Sequence, residues 1–486
     1  MALDPARTPV LVAAGQCLTR RAPTTAVALA TEAAEAAFAD APKLRDAVDR
    51  VAVVNILAPA PKSAASAVAE RLGLPPGQRQ VSTIGGNSPQ SLVTRAAAAI
   101  AAGEIETVLI AGAEAQRSNK LAGAPAPDVT EPAGDPDEVV GDDRPGVGPA
   151  ELAIGLLAPV HVYPLFESVL AARAGRTFEE QRTHLGALMA RFTEVAAGHP
   201  VAWFPERRTP GELSALAPDN RLVAEPYPKR MCAVMAVDQG AAVLVTSLAA
   251  ARRAGVEDRA VYVWSGAEAA DVWFPSERPD PGTSPGIAAA TGAALSAAGI
   301  GADDVAAFDF YSCFPCVVQM AAEAVGIALD DRRGLTVTGG LPYFGGPGND
   351  YTLHAIATMA DRIRSGGGTG LVTGVGWYAT KHAAGVYGDR PPADGWRRGD
   401  TSAAQAAIDA TAAPLAAEGD GPALVVASTV VAGRDGAPTG APAIVRLPDG
   451  RQLAVAVEDD ELPALAGRNL VGTTVQVRGT RYRPGP

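Results

Sequence analysis

One unit is written twice in this chain, and the repetition narrows what it can fold into: a strand-like run, a Gly-Gly turn with a nearby Pro, a helix, a Gly, and a second apolar strand. The first copy runs Thr83-Ile84-Gly85-Gly86-Asn87-Ser88-Pro89, continues as an Ala-rich helical stretch to Ala102, and passes Gly103 into the strand Thr107-Val108-Leu109-Ile110-Ala111-Gly112. The second runs Tyr343-Phe344-Gly345-Gly346-Pro347-Gly348-Asn349-Asp350, continues through His354 and Met359 to Ile363, and passes Gly366 into Gly370-Leu371-Val372-Thr373-Gly374. Gly86 to Gly112 spans 26 positions and Gly346 to Gly374 spans 28, close enough for a common period. A glycine pair lets the backbone turn with positive φ and come close to whatever sits at the following helix N-terminus. Gly-Gly turns join strands to helices in many α/β proteins, so each alone is weak. Their recurrence with matching downstream elements implies two related halves whose two helix N-termini meet at one site.

The order of these landmarks resembles the thiolase superfamily over residues 7–388. The resemblance implies a duplicated, five-layered α/β/α/β/α core to which each half contributes a five-stranded sheet. Setting Ile100-Ala101-Ala102-Gly103 on the family's Ile-x-x-Gly helix end puts Gly86 where the nucleophilic Cys stands and Ser88 on the family Ser. Gly345-Gly346-Pro347 falls on the Gly-His-Pro loop, with Gly346 in place of the His that helps hold an oxyanion. The closing Cys-x-Gly falls within Leu371 to Gly376, which has no cysteine. Tyr311-Ser312-Cys313-Phe314-Pro315-Cys316 stands where thiolases carry Asn-Glu-Ala-Phe, or His-Asp-Cys-Phe in a sterol-carrier-protein-like subgroup. Cys313 matches that subgroup's acid/base Cys, and Tyr311 replaces its His. The chain looks most like thiolase-like proteins with an added C-terminal domain and a degenerate catalytic set, which are labelled acetyl-CoA acetyltransferases by descent.

Composition excludes several classes. Hydrophobic content is 48% with only 5% aromatics, so Ala, Val and Leu must fill the interior of a soluble globular protein. A net charge of −12 opposes sequence-independent nucleic-acid binding, which needs a positive footprint. No apolar run is long enough to span a membrane, and Met1-Ala2-Leu3-Asp4-Pro5 lacks the basic and then apolar pattern of a leader peptide, so none is expected. Four cysteines, Cys17, Cys232, Cys313 and Cys316, are too few for a disulfide scaffold, so a reducing cytoplasm is expected. No second Cys or His pair accompanies Cys313-x-x-Cys316 with zinc-ligand spacing, and the order of elements is unlike a thioredoxin's.

Five segments are expected: a first half over 1–116, an insertion or loop domain over 117–235, a second half over 236–388, a linker over 389–400, and a small C-terminal domain over 401–486. The insertion opens with a stretch rich in Asp, Pro, Gly and Ala from Arg117 to Pro149. By resemblance this region covers the active site and contacts coenzyme A. Its acidic run Asp135 to Asp143 therefore either points away or marks a changed contact. The second half is expected to open on the strand Ala241 to Thr246. Beyond the linker, short strands at Ala423–Val431, Ala443–Leu447, Gln452–Val457 and Thr473–Val477 suggest an all-β, oligonucleotide/oligosaccharide-binding-type barrel.

These readings give two functions of different class. In the first, the protein handles an acyl-CoA or related thioester as an acetyl-CoA acetyltransferase-like acyltransferase, with no bound cofactor and without a nucleophile at the first turn. Cys313 is then the candidate nucleophile or base, since a helix N-terminus lowers a thiol pKa, with a buried apolar filler as its alternative. His354 and His382 are the candidate proton carriers, with structural histidines as the alternative. Gly86, Asn87, Ser88, Tyr311, Gly346 and Asn349 are the candidate substrate-binding positions, although Asn and Ser are also ordinary turn and cap residues. In the second, the protein is a non-catalytic subunit that docks a partner enzyme or acyl carrier through its C-terminal domain. A monomer and a homodimer are both open.

Overall fold

The computed structural model describes residues 3–121 and 134–485. Of the Asp- and Pro-rich stretch expected over 117–149, positions 122–133 lie outside the described residues.

Eleven strands form one continuous sheet whose two halves repeat the same order. The first half runs Gln78–Ser82, Arg50–Val53, Thr107–Ala115, Asp238–Ser247, Pro9–Leu18, with Asp238–Ser247 antiparallel to both neighbours. The second runs Ala307–Asp309, Thr369–Gly376, Lys381–Gly388, Val261–Ala270, with Lys381–Gly388 antiparallel to both neighbours. The halves meet where Val10 pairs with Tyr262 and Leu11 with Val261. The strand expected to open the second half, Ala241 to Thr246, therefore completes the first. It returns from the insertion and fills the gap between Pro9–Leu18 and Thr107–Ala115, where all ten of its residues are buried. Sequence order alone suggests the other assignment.

Small residues set the spacing between layers. The helix Ala26–Asp40 is capped by Thr25, whose hydroxyl accepts from the Ala28 amide at 3.3 Å. It lies so close to the sheet that a Cβ at Gly15 would sit 2.0 Å from the Ala33 carbonyl oxygen. Close approach of this kind explains how a core with few aromatic rings reaches native packing density. The two duplicated helices, Ser88–Ala102 and Tyr351–Gly366, form the middle layer. Their turns clasp one another: Asn349 Oδ1 accepts from the Gly85 amide at 2.9 Å, and Thr352 Oγ1 donates to the Gly86 carbonyl at 2.5 Å. The two helix N-termini do meet.

The insertion folds back onto the first half. Glu138–Val140 pairs in parallel with Gln80–Ser82 and covers the edge of the sheet. Helices Pro159–Arg173 and Phe178–Gly198 follow. Among the described residues no helix is long and apolar enough to cross a membrane.

The C-terminal region closes a five-stranded barrel from Gly419–Ser428, Pro442–Arg446, Gln452–Val457, Arg481–Pro484 and Thr474–Gly479, an OB-like arrangement. It is bonded to the rest of the chain. Asn469 Nδ2 donates to the Ser168 carbonyl at 2.8 Å, Gln452 Nε2 to the Arg278 carbonyl at 2.9 Å, and Val431 pairs with Ala224. Ala427 and Ile444 of the barrel belong to the main hydrophobic core. Within the expected linker Arg397–Arg398 adds to the edge of Val261–Ala270, and just beyond it Gln405 bonds both the amide and the carbonyl of Ala270, at 2.7 and 3.0 Å.

Candidate functional site

At the first turn, the space a nucleophile would need is occupied. A Cβ built on Gly86 would lie 2.3 Å from the Tyr311 hydroxyl oxygen and 2.6 Å from its Cζ. Tyr311 is held there by packing edge-on against Tyr351, centroids 5.5 Å apart, and by its amide donating to Thr373 Oγ1 at 2.9 Å. A side chain at 86 and the ring at 311 thus compete for one volume, which the ring of Tyr311 fills. Asn349, expected to face substrate, is consumed in the turn-to-turn clasp, its Nδ2 donating to the Asn55 carbonyl at 2.9 Å. Gly346 packs under Val234 and Leu341, where a Cβ would find the Val234 carbonyl at 3.3 Å.

Cys313 lies in an enclosed aromatic setting. It lies near Tyr163, a ring stacked on Phe314 with centroids 4.5 Å apart, and burial pushes the thiol up to about 12. The helix Pro315–Val325 starts two residues on, as expected, but the cost of burying a thiolate outweighs the helix terminus. Cys316 is also raised by burial, and all four cysteines are free. With a thiol pKa raised from 9.0 to about 12, the thiolate fraction is about a thousandfold lower than for a free Cys. Iodoacetamide at neutral pH is therefore expected to leave Cys313 unmodified in the native protein and to alkylate it in denaturant. Peptide mass mapping checks this, and rapid native labelling at 313 would contradict it.

His354 is placed apart from the first turn's outer mouth. Its Nδ1 meets Gln16 Oε1 at 2.8 Å, its Nε2 lies 3.6 Å from Asp350, and burial lowers its pKa to about 3. It is a neutral core histidine beside the buried carboxyl of Asp350, which in turn feels Glu114; burial raises both carboxyls, Glu114 to about 7.

The structure brings Asn87, Ser88 and His382 together on a cavity of about 740 Å³. Its walls are the first turn and its helix, the end of strand Val261–Ala270, the acidic segment at Asp142, and the helix Ser402–Asp409. The acidic run therefore does not point away. Ser88 Oγ donates to the Thr83 carbonyl at 2.9 Å and caps the turn. His382 is 2% exposed, with Nε2 2.9 Å from Asp271 Oδ2 and 3.1 Å from the Ala379 carbonyl. Two acceptors at Nε2 require a proton there, so in the neutral form of the ring the lone pair is on Nδ1. Asp271 also accepts from Ser284 Oγ and from the Gly286 amide at 2.7 Å. Burial alone would raise its pKa, but the His382 hydrogen bond and charge bring it below the usual range. The pair is an oriented Asp-His dyad whose free imidazole nitrogen can accept a proton.

Lys381, on the opposite face of the same strand, escapes the motif reading. Its ammonium donates to the carbonyls of Ile84 and Asp142, the latter at 3.0 Å, tying the acidic segment to the first turn, and burial lowers its pKa to about 8. Asp271 escapes it as well. The signals in the sequence are faint: a Lys-His pair opening an otherwise apolar strand, and an Asp directly after the strand end. The turn before Lys381 holds Trp377 and Ala379 at φ 53° and 49°, a strained arrangement no composition rule predicts.

Residues 404–481 match the model of the thiolase-like protein type 1 additional C-terminal domain. A monomeric SCP2-thiolase-like protein type 1 from Mycobacterium smegmatis superimposes with a TM-score of 0.85 and 34% identity, covering 99% of this chain and 100% of that one. An Ltp2–ChsH2(DUF35) aldolase shares the fold at 19% identity, TM-score 0.62, over 79% of this chain and 98% of that one. An acetyl-CoA acetyltransferase from Syntrophomonas wolfei does so at 16% identity, TM-score 0.60, over 79% and 99%. No curated protein sequence matches the chain. With its full length aligned and its C-terminal domain recognised separately, the chain belongs to the SCP2-thiolase-like proteins of type 1.

Proposed function

We propose that this protein handles an acyl thioester by direct transfer, without an acyl-enzyme, using His382 as the general base. The observation that carries the reading is the Asp271–His382 dyad opening on the same cavity as the N-terminus of the first-turn helix. That helix end is the positive end of a helix dipole, which favours a thioester oxygen as it gains charge, and the imidazole accepts the proton of the attacking group. Cys313 and His354 take no part, because one is a buried thiol and the other a buried neutral imidazole. The shared fold with an acetyl-CoA acetyltransferase supports a coenzyme A thioester as donor, and four free thiols suit a reducing compartment.

Incubation with acetyl-CoA and acetoacetyl-CoA tests this. The expected result is slow CoA release with no mass increase on the protein, and a loss of about a hundredfold or more in His382→Gln and Asp271→Asn. Release that is unchanged in both variants, or a covalent acyl adduct, would sink it.

A second reading, a non-catalytic subunit, is favoured by the ring of Tyr311 filling the family's nucleophile position. It predicts no CoA release and a stoichiometric protein partner on native purification. The aldolase neighbour, a complex by its name, lends this reading support.

A further inference from the structure

Two cavities share a wall. The one beside the dyad, of about 740 Å³, and a second of about 430 Å³ lined by Ile84, Val139 and Trp377 both reach Ser82, Thr83 and Asp142. Asp142 belongs to a segment, residues 141–148, that leaves the edge strand Glu138–Val140 and ends where the next helix begins at Pro149. Arg144 lines the first cavity and Asp143 the second, so this segment runs along their boundary.

The segment is lightly held. Among the described residues no backbone-to-backbone hydrogen bond involves residues 142–147. Side chains hold it instead: Lys381 Nζ donates to the Asp142 carbonyl at 3.0 Å, and Trp273 Nε1 donates to the Pro145 carbonyl at 2.8 Å. Asp142 and Arg144 pair with each other, within the segment. Gly146 lies so close to Trp377 that a Cβ there would be 2.1 Å from Cδ2 of the ring. Gly141, where the segment starts, has φ 115°, a conformation that suits a glycine hinge.

Lys381 grips both sides of the boundary. Its other donors go to the Ile84 carbonyl and, at 3.5 Å, to Thr83 Oγ1, so the three N–H groups of the ammonium join the segment to the first turn. Little water reaches it: the residue is 6% exposed, and burial lowers its pKa to about 8. An ammonium taken out of water is disfavoured, and lifting the segment returns it to solvent. The grip is therefore poised to open.

We propose that residues 141–148 form a strap that Lys381 latches over the boundary of the two cavities, and that releasing the latch joins them into one trough. The strap swings at Gly141 and leaves the rings of Trp273 and Trp377.

Endoproteinase Asp-N, which cuts before aspartate, tests the strap on the full chain, with the cuts located by mass spectrometry. Cutting before Asp142 and Asp143 tracks the fraction of the strap that is released. Slow cutting is expected in the parent protein, cutting about tenfold or more faster in Lys381→Met, and a rate between the two in Lys381→Arg, which keeps the charge. Acetylation by an N-hydroxysuccinimide ester reads the same motion from the lysine. In the parent protein Lys381 should react about tenfold or more slower than Lys62, whose side chain is 78% exposed. In Gly146→Ala the added methyl group pushes the strap off Trp377, so Lys381 should react about threefold or more faster than in the parent. Equal cutting of the parent and Lys381→Met, cuts in that variant spreading to the buried Asp238 and Asp309, or a Lys381 that reacts as fast as Lys62 in the parent would overturn the proposal. So would a Lys381 rate unmoved by Gly146→Ala. Neither readout uses a thioester, so failure of the latch and failure of the transfer reading are told apart.

Discussion

Acid titration of this protein is expected to show a plateau in melting temperature from pH 7 to about 4.5 and a steep fall between about 4.5 and 3. The cause is the buried cluster between the halves. His354 and His199, on either side of the Phe344 ring, stay neutral in the folded state, with pKa values lowered by burial to about 3 and about 4 from 6.5. Between pH 6.5 and those values the unfolded chain binds more protons, so stability is lost as pH falls. Glu114 acts in the opposite sense. Burial raises it to about 7 from 4.5, so from pH 7 down to 4.5 the folded state binds the extra proton and gains stability. Asp350, raised by burial and by Glu114, adds to that gain. Each tenfold change in proton affinity on folding is worth about 1.4 kcal/mol, so His354 alone accounts for about 4 to 5 kcal/mol once fully titrated, and Glu114 offsets about 3 of it. The discriminating variant is Glu114→Gln. It removes the compensation, so stability should begin to fall near pH 6.5 instead of 4.5. A profile superimposable on that of the parent chain would show that these groups do not set the acid limit.

Placing a cysteine at position 86, where the family resemblance sets the nucleophile, is expected to damage the protein. The backbone at Gly86 tolerates a side chain, since its φ is not positive, but the Tyr311 ring does not. Gly86→Cys forces a ring that is 5% exposed and packed on Tyr351 to move, an overpacking cost of about 1 to 3 kcal/mol. Tyr311→Ala alone leaves a hole costing about 3 to 5 kcal/mol. Combined, the two should cost less than their sum by about 1 kcal/mol or more, because the new side chain occupies part of the hole. Chemical denaturation of the four proteins measures the coupling. Strict additivity would mean that Gly86 and Tyr311 are not in conflict.

The duplicated architecture is legible because glycine pairs, helix ends and strands recur in fixed order, a pattern that tertiary forces have no reason to disturb. The C-terminal barrel is legible from alternating short strands and their turns, although its last strand, Arg481–Pro484, follows a tight turn at Thr480 that no run of apolar residues marks. Strand Asp238–Ser247 reads as part of the wrong half because pairing partners separated by the insertion leave no local trace. At the candidate site, the motifs lead to His382, Asn87 and Ser88 but not to Asp271 and Lys381. Both of the latter act through neighbours far off in sequence, Asp271 on a residue 111 positions away and Lys381 on a carbonyl 297 positions away. Cys313 is overrated by the sequence for a related reason: the helix start is local and readable, whereas the enclosing Tyr163 comes from another segment.

The strand Glu138–Val140 has a consequence for crowding. By hydrogen-bonding to Gln80–Ser82 it turns a free margin of the great sheet into a three-residue rim that carries a carboxylate, with Arg95 held to it by that charge. Bare amides and carbonyls in a row invite a second chain to extend the ladder, and short charged rims discourage it. Growth of the ladder from one copy to the next is thereby discouraged along this margin of the sheet.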